Sequence, residues 1–286
     1  MSAMKENLKI QLKNKFRTDL IEFVNQLNGY VSMENGQWTI KGFLDVFQNI
    51  YTISADTKIV SKILEIHIFP KILEFAQKYG YKVVLTKHQN YYPDVSFVSA
   101  ENEEIKFARD FKTIYRLPNS PEFCNGFTLG SHGEYFINRN SSKNIQFPYN
   151  QYLGHFCLGI IYSRSDSHDV DETRIYRIED LHSITSVISN FQFFVTEKWE
   201  IASDSSGSGN TANIGSINKI SDILGCNGMF KNLGEEVFDD YWMNYGKITV
   251  IGEDGKPKKI TKLKQFLEYR GIDVNLINTR ASRRNK

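Results

Sequence analysis

Pro93-Asp94-Val95-Ser96-Phe97-Val98-Ser99, then a polar turn, then Ile105-Lys106-Phe107-Ala108-Arg109-Asp110-Phe111-Lys112-Thr113-Ile114-Tyr115: this stretch decides how the chain is read. Both runs are rich in β-branched and aromatic residues, and the turn Ala100 to Glu104 joins them into a hairpin. In an extended strand, side chains two apart share a face, so Asp110 and Lys112 project together, with small Ala108 leaving room beside them. Asp94, at the head of the neighbouring strand, can meet Asp110 side by side. Two carboxylates held this close repel each other unless a cation sits between them, and hard oxygen ligands suit Mg²⁺. A phosphodiester needs charge neutralised on its oxygens and an attacking water made more nucleophilic; such a site supplies both. Lys112 would stabilise the charge that builds in the transition state. The bare pattern also fits a surface hairpin with an i, i+2 ion pair. Its apolar setting (Ile105, Phe107, Phe111) favours a site built for chemistry, since unpaired charge among apolar neighbours is expensive.

Working outward, Asp56 or Thr57 caps a helix carrying Ile59, Val60, Ile63, Leu64, Ile72, Leu73 and Phe75. Pro70 should kink or restart it, and Gly80 ends it. Glu65 stands alone in its most apolar part, with Lys58 and Ser61 on its side; it is a candidate third acid or a side chain reaching to solvent. An earlier helix follows from Leu8, Leu12, Phe16, Leu20, Phe23, Val24 and Leu27, stopped by Asn28-Gly29. A strand covers Tyr81 to Leu85. Downstream, the pattern predicts a helix-like stretch around Tyr149 to Ile161, strands at Thr173 to Arg177 and Phe191 to Ile201, and a loop over Ser203 to Asn213. A helix over Glu235 to Tyr245, a polar hairpin or linker over Gly252 to Lys259, and a short helix over Thr261 to Tyr269 complete the chain. This order indicates an α/β or α+β protein without internal repeats.

Composition sets outer limits. With 41% hydrophobic, 24% charged and 13% aromatic residues, the chain has the make-up of a soluble globular protein. Its 35 basic against 33 acidic residues leave only +2, so net charge neither requires nor excludes a nucleic-acid partner. Cys124, Cys157 and Cys226 are far apart and the histidines scattered, which argues against structural zinc or a disulfide scaffold and fits a reducing cytoplasm. No stretch is apolar and long enough to suggest a membrane span or a signal peptide. The basic tail with Arg280, Arg283, Arg284 and Lys286 reads as a solvated end.

Gly207-Ser208-Gly209-Asn210-Thr211-Ala212-Asn213 is not a nucleotide-binding loop, because no Gly-Lys-Ser/Thr follows. It suits a DNA reader: glycines admit close backbone approach to base edges, and asparagine can pair bidentately with adenine. A flexible surface loop is the plain alternative.

The runs Gln89-Asn90-Tyr91-Tyr92-Pro93-Asp94, Asp110-Phe111-Lys112-Thr113, Ser142-Lys143-Asn144-Ile145 and Lys198-Trp199-Glu200-Ile201-Ala202, followed by Gly207 to Ile217, resemble the EcoRV-like type II restriction endonucleases in order and spacing. These belong to the PD-(D/E)XK nuclease superfamily. Asp56-Thr57-Lys58, Glu65 and Asp239 to Tyr245 fall in the same register, so the likeness covers residues 15 to 247. It implies a restriction-endonuclease-like fold, a central mixed β-sheet flanked by helices, in a single domain over 1–286. The first helix and early strands would form a dimerisation subdomain, 55–247 the catalytic and recognition core, and 248–286 a C-terminal extension. By that likeness Asp94, Asp110 and Glu65 bind Mg²⁺ and Lys112 assists the attacking water. Gly207, Gly209, Asn210 and Thr211 read the major groove and Gln89 approaches from the minor groove. Thr113, Ser208, Asn213, Lys58 and Lys143 make phosphate or supporting contacts. The implied protein is a homodimer cutting double-stranded DNA bluntly at GATATC or a similar palindrome, in a bacterial cytoplasm with a cognate methyltransferase. A silent DNA-binding protein and a nicking repair nuclease of the same fold are the alternatives. This sequence departs from the pattern at Arg109, Ile114 and Ala212 and by an insertion over Pro118 to Gly126.

Overall fold

The structure, a computed structural model, describes residues 6–88, 90–165, 171, 173–207, 212–252 and 255–279. The chain opens with α1 (Glu6–Val31), β1 (Gly42–Leu44), β2 (Asn49–Thr52), α2 (Thr57–Tyr79) and β3 (Tyr81–Leu85). The decisive hairpin follows as β4 (Val95–Ser99) and β5 (Lys106–Leu117), then β6 (Ser120–Cys124), β7 (Thr128–Ser131), the single turn α3 (Glu134–Ile137) and β8 (Gly154–Arg164). The rest comprises β9 (Ile175–Arg177), β10 (Ile188–Glu197), β11 (Ala202–Ser206), β12 (Asn213–Ser216), α4 (Ile220–Leu224) and α5 (Gly234–Asn244). A hairpin of β13 (Thr249–Ile251) and β14 (Pro257–Lys259) leads to α6 (Leu263–Arg270).

The central sheet runs β10-β8-β5-β4-β3, with β6 paired to the far end of β5. Only β5 and β8 pair in parallel, so the sheet is mixed. This is the restriction-endonuclease-like architecture expected from the sequence. Residues of β5 alternate between two cores. Phe107 faces α1 and α2, where Phe16 stacks on it at 4.1 Å among Phe75, Phe97 and Phe156. Ala108 and Ile114 face the opposite core, with Tyr92, Tyr135, Tyr149, Phe230 and Trp242. Each buried aromatic ring of this kind contributes roughly 1.5–3 kcal/mol. Two small three-stranded sheets flank the central one: β1-β2-β9, and β11-β12-β7.

Five sequence expectations change. The stretch around Tyr149 to Ile161 is not helical: a 3-10 turn at Tyr149–Gln151 leads into β8. Gly154 to Tyr162 is buried throughout, so no alternation marks it, and a two-sided buried strand cannot be told from a buried helix by periodicity. The first helix runs past Asn28-Gly29 to Val31, whose fully buried side chain holds the last turn in the core. The second helix is continuous through Pro70; residue 66, whose carbonyl that proline leaves free, is exposed at 61%, so water can take the lost hydrogen bond. Ser203 to Ser206, expected as loop, belongs to β11 and pairs with nearby β12 (Ser206 with Ile214); the serine- and glycine-rich composition of this run carries no strand pattern. The Phe191 to Ile201 strand ends at Glu197, with a 3-10 turn at Trp199–Ile201.

Candidate active site

Asp94 sits immediately before β4, whose first registered pair is Val95 with Arg109 on β5. That register carries Asp94 to the level of Asp110. The Asp94 carboxylate accepts a hydrogen bond from the Phe111 backbone N–H at 2.6 Å, fixing it against β5. Lys112 Nζ lies 2.9 Å from Asp110 Oδ2, and both side chains are largely buried. The predicted trio is thus brought together by one hairpin.

The two carboxylates differ in ionisation. Burial pushes the Asp94 carboxyl up, and the neighbouring charge of Asp110 adds to it; Lys112, the Phe111 N–H and Arg109 pull the other way. Burial also pushes Asp110 up, but the ammonium groups of Lys112 and Lys198 outweigh it and leave Asp110 below the ordinary range. Lys112 is held above its usual value despite burial, chiefly by Asp110. An acid pair of which one member is reluctant to ionise beside the other fits a hard divalent cation, which would relieve that repulsion.

Glu65 projects from α2, half-exposed, and pairs with Lys62 at 3.0 Å. It shares a cleft of about 240 Å³ with Lys62, Asp94 and Arg109, walled by Ile66, Phe69 and Leu85. Among the described residues, no three or more acidic, histidine or cysteine side chains are grouped as a metal-binding cluster. An adjoining open cleft of about 680 Å³ brings Lys58 and Thr113 together with Ser61, Asn125 and Arg164. Lys143 is exposed on a loop stitched to Tyr92: Tyr92 N–H donates to Asn144 O at 3.0 Å, and Gln146 N–H donates to Tyr92 O at 2.8 Å.

Of the expected reading loop, Gly207 and Asn213 are described. The Gly207 N–H donates to Asn213 O at 2.8 Å, closing the base of the hairpin, and Asn213 pairs with Ser131 of β7. A Cβ on Gly207 would come within 2.4 Å of the Thr128 side chain, so the closure requires glycine. Ser208, Gly209, Asn210, Thr211 and Gln89 lie outside the described residues, as do Arg280, Arg283, Arg284 and Lys286.

Sequence reasoning passed over Lys198. Its side chain is fully buried, its Nζ lacks a hydrogen-bond partner and lies 3.6 Å over the Tyr92 ring. Burial pulls its pKa down to about 8, although Asp110 opposes that. Gly130 makes room, since a Cβ there would lie 3.0 Å from this nitrogen. Tyr92 in turn shares a hydrogen bond with His155 Nδ1 at 3.0 Å. The sequence signal was a charged residue in the Glu197-Lys198-Trp199 run, indistinguishable from a surface lysine until the fold buries it.

Comparison with known proteins agrees with this geometry. Residues 34–271 match the family described as Restriction endonuclease EcoRV. The chain is 34% identical over 239 residues to the Type II restriction enzyme EcoRV of Escherichia coli, covering 83% of this chain and 94% of that protein. A shared hairpin of Asp94, Asp110 and Lys112 on a mixed sheet, together with a match of that extent, leads to one conclusion: the chain belongs to the EcoRV restriction endonuclease family and is a type II, site-specific deoxyribonuclease.

Proposed function

We propose that the protein is a Mg²⁺-dependent homodimer that cuts both strands of a six-base palindrome, GATATC or a close variant, at its centre, leaving 5′-phosphates. The observation that carries the reading is the Asp94–Asp110–Lys112 group on adjacent strands, with Asp110 buried at its centre. Asp94 and Asp110 would hold the ion; when bound, it supplies positive charge to the phosphodiester oxygens and acidifies water. Lys112, ionised at neutral pH and tethered to Asp110, would place its ammonium group beside the charge that grows on the phosphate. Lys198 faces Asp110 from the core and keeps that carboxylate ionised. Lys58, Thr113 and Arg164 line an open cleft suited to the sugar–phosphate backbone, and Lys143 adds a further cation beside Tyr92.

Support for the dimer comes from the β1-β2-β9 sheet. Phe43, Leu44, Val46 and Phe47 are 54–90% exposed, with Ile175 and Ile178 also open. An apolar surface of that density on one small sheet and its connecting turns supports reading it as a subunit interface. A two-fold protein matches a two-fold site, and a central TA step is easily kinked, so base pairs untouched by the protein can still be read through deformation. A companion methyltransferase and a bacterial cytoplasmic setting go with this reading; among the described residues no helix is long and apolar enough to cross a membrane. Digestion of plasmid DNA with Mg²⁺ followed by sequencing of the ends tests all parts together. Paired blunt breaks at one palindrome are expected; single nicks, or specific binding without breaks, would refute it.

A further inference from the structure

Arg109 is the residue that neither the hairpin pattern nor the family likeness accounts for. It lies on β5 between Ala108 and Asp110, on the face opposite Lys112, and is only 3% exposed. Its Nε is buried without a hydrogen-bond partner, and its guanidinium forms no ion pair among the described residues; the guanidinium carbon lies 5.1 Å from the centre of the Phe111 ring. A guanidinium stays charged under any condition in which the protein folds, so a buried one needs negative charge near it. Here the opposing carboxylates are Asp94, Glu65 and Asp110, in that order of influence. Arg109, Asp94 and Glu65 line the same cleft, and Lys62 on its rim already pairs with Glu65.

The acidic residues therefore fall into two groups. Asp94 and Asp110 share a hairpin and a lysine; Glu65 pairs with Lys62 and shares its cleft with Arg109. A dication entering beside Glu65 would meet the like charges of Arg109 and Lys62, and would find a carboxylate whose charge is already answered. We propose that Arg109 is the resident cation of the Glu65 side of the cleft, so that each chain takes one divalent ion, on Asp94 and Asp110, and Glu65 is not a ligand. Arg109 is then a positioning residue, acting through Asp94 and Glu65. The inference rests on the nuclease reading for what the ion does, and on the cleft alone for how many ions there are.

Counting Mn²⁺ bound per chain by electron paramagnetic resonance tests it on the full-length protein. One ion is expected in the wild type and in Arg109→Lys, two in Arg109→Met, and one again when Glu65→Gln is added to Arg109→Met. Glu65→Gln alone should shift the half-saturating Mn²⁺ concentration less than threefold, and because Glu65 is half-exposed this variant tests the idea even if Arg109→Met does not fold. None or two ions in the wild type, a single ion in folded Arg109→Met, or more than tenfold weaker binding in Glu65→Gln would overturn it. Plasmid cleavage measured alongside separates the two readings. Expected counts without cleavage remove the nuclease reading alone; cleavage with the wrong counts removes this one alone.

Discussion

Replacing Lys112 with alanine deletes the ammonium group that pairs with the Asp110 carboxylate at 2.9 Å. The Lys112 side chain is 17% exposed and that of Asp110 7%, so an effective dielectric of about 20 applies rather than that of water. A unit charge roughly 4 Å from growing negative charge then contributes about 4 kcal/mol, which corresponds to about a thousandfold in rate. The ion pair with Asp110 adds a second effect. Burial favours the neutral acid at Asp110, and Lys112 is the strongest influence against it. Without Lys112 the Asp110 pKa rises, so residual cleavage should fail at a higher pH than wild-type cleavage as the solution is acidified. Single-turnover cleavage of plasmid across pH 5.5–8.5, beside gel-shift binding without Mg²⁺, measures both effects. A rate within tenfold of wild type, or an unmoved acid limb, would refute the reasoning; binding should change less than threefold.

Gly159 of β8 sits opposite Lys112 on one side and Phe194 on the other, and a Cβ there would lie 1.9 Å from the Phe194 ring. Gly159→Ala should cost about 3 kcal/mol in urea unfolding; a loss below about 0.5 kcal/mol would mean the ring does not cover that glycine. Glutamates at Val46 and Phe47 should convert a dimer to monomers in sedimentation and lower cleavage at least tenfold, whereas a surviving dimer would move the interface elsewhere. Glu197 shares Lys13 with Glu235, and burial first, then that acidic neighbour, lifts its pKa to about 7 against the Lys13 attraction. Because the folded pKa exceeds the unfolded one, the associated stability is present below pH 4.5 and is lost as pH rises towards 7. Glu197→Gln should flatten that decline, on the order of 2 kcal/mol, in thermal melts; identical pH profiles would refute the shift.

The parts of the fold that were legible are those with a local signature. The β4–β5 hairpin announced itself by β-rich runs around a polar turn, and α2 by an Asp56 cap that accepts from Lys58 and Ile59 backbone N–H groups and a left-handed Gly80. The candidate catalytic trio was legible for the same reason, because strand geometry puts Asp110 and Lys112 on one face. Strand β8 was not, since burial on both faces erases the alternation that marks a strand. Neither was Lys198, whose character comes from Tyr92 and Gly130, far off in sequence. Arg109 was visible as a departure, but only the cleft shows which acids it answers.

The ties between α1 and the end of β10 have one more consequence. Lys13 reaches Glu197 at 3.0 Å and Arg17 reaches Glu200 at 2.7 Å, so the helix that leads into the β1-β2 sheet is clamped to the strand that leads into β11 and the reading loop. In the dimer proposed on β1-β2-β9, that clamp would act as a ruler, setting the span between the two candidate reading loops independently of what the loops contain. Altering loop residues would then change which bases are chosen, while the number of base pairs between the two half-sites would stay fixed until the clamp itself is recut.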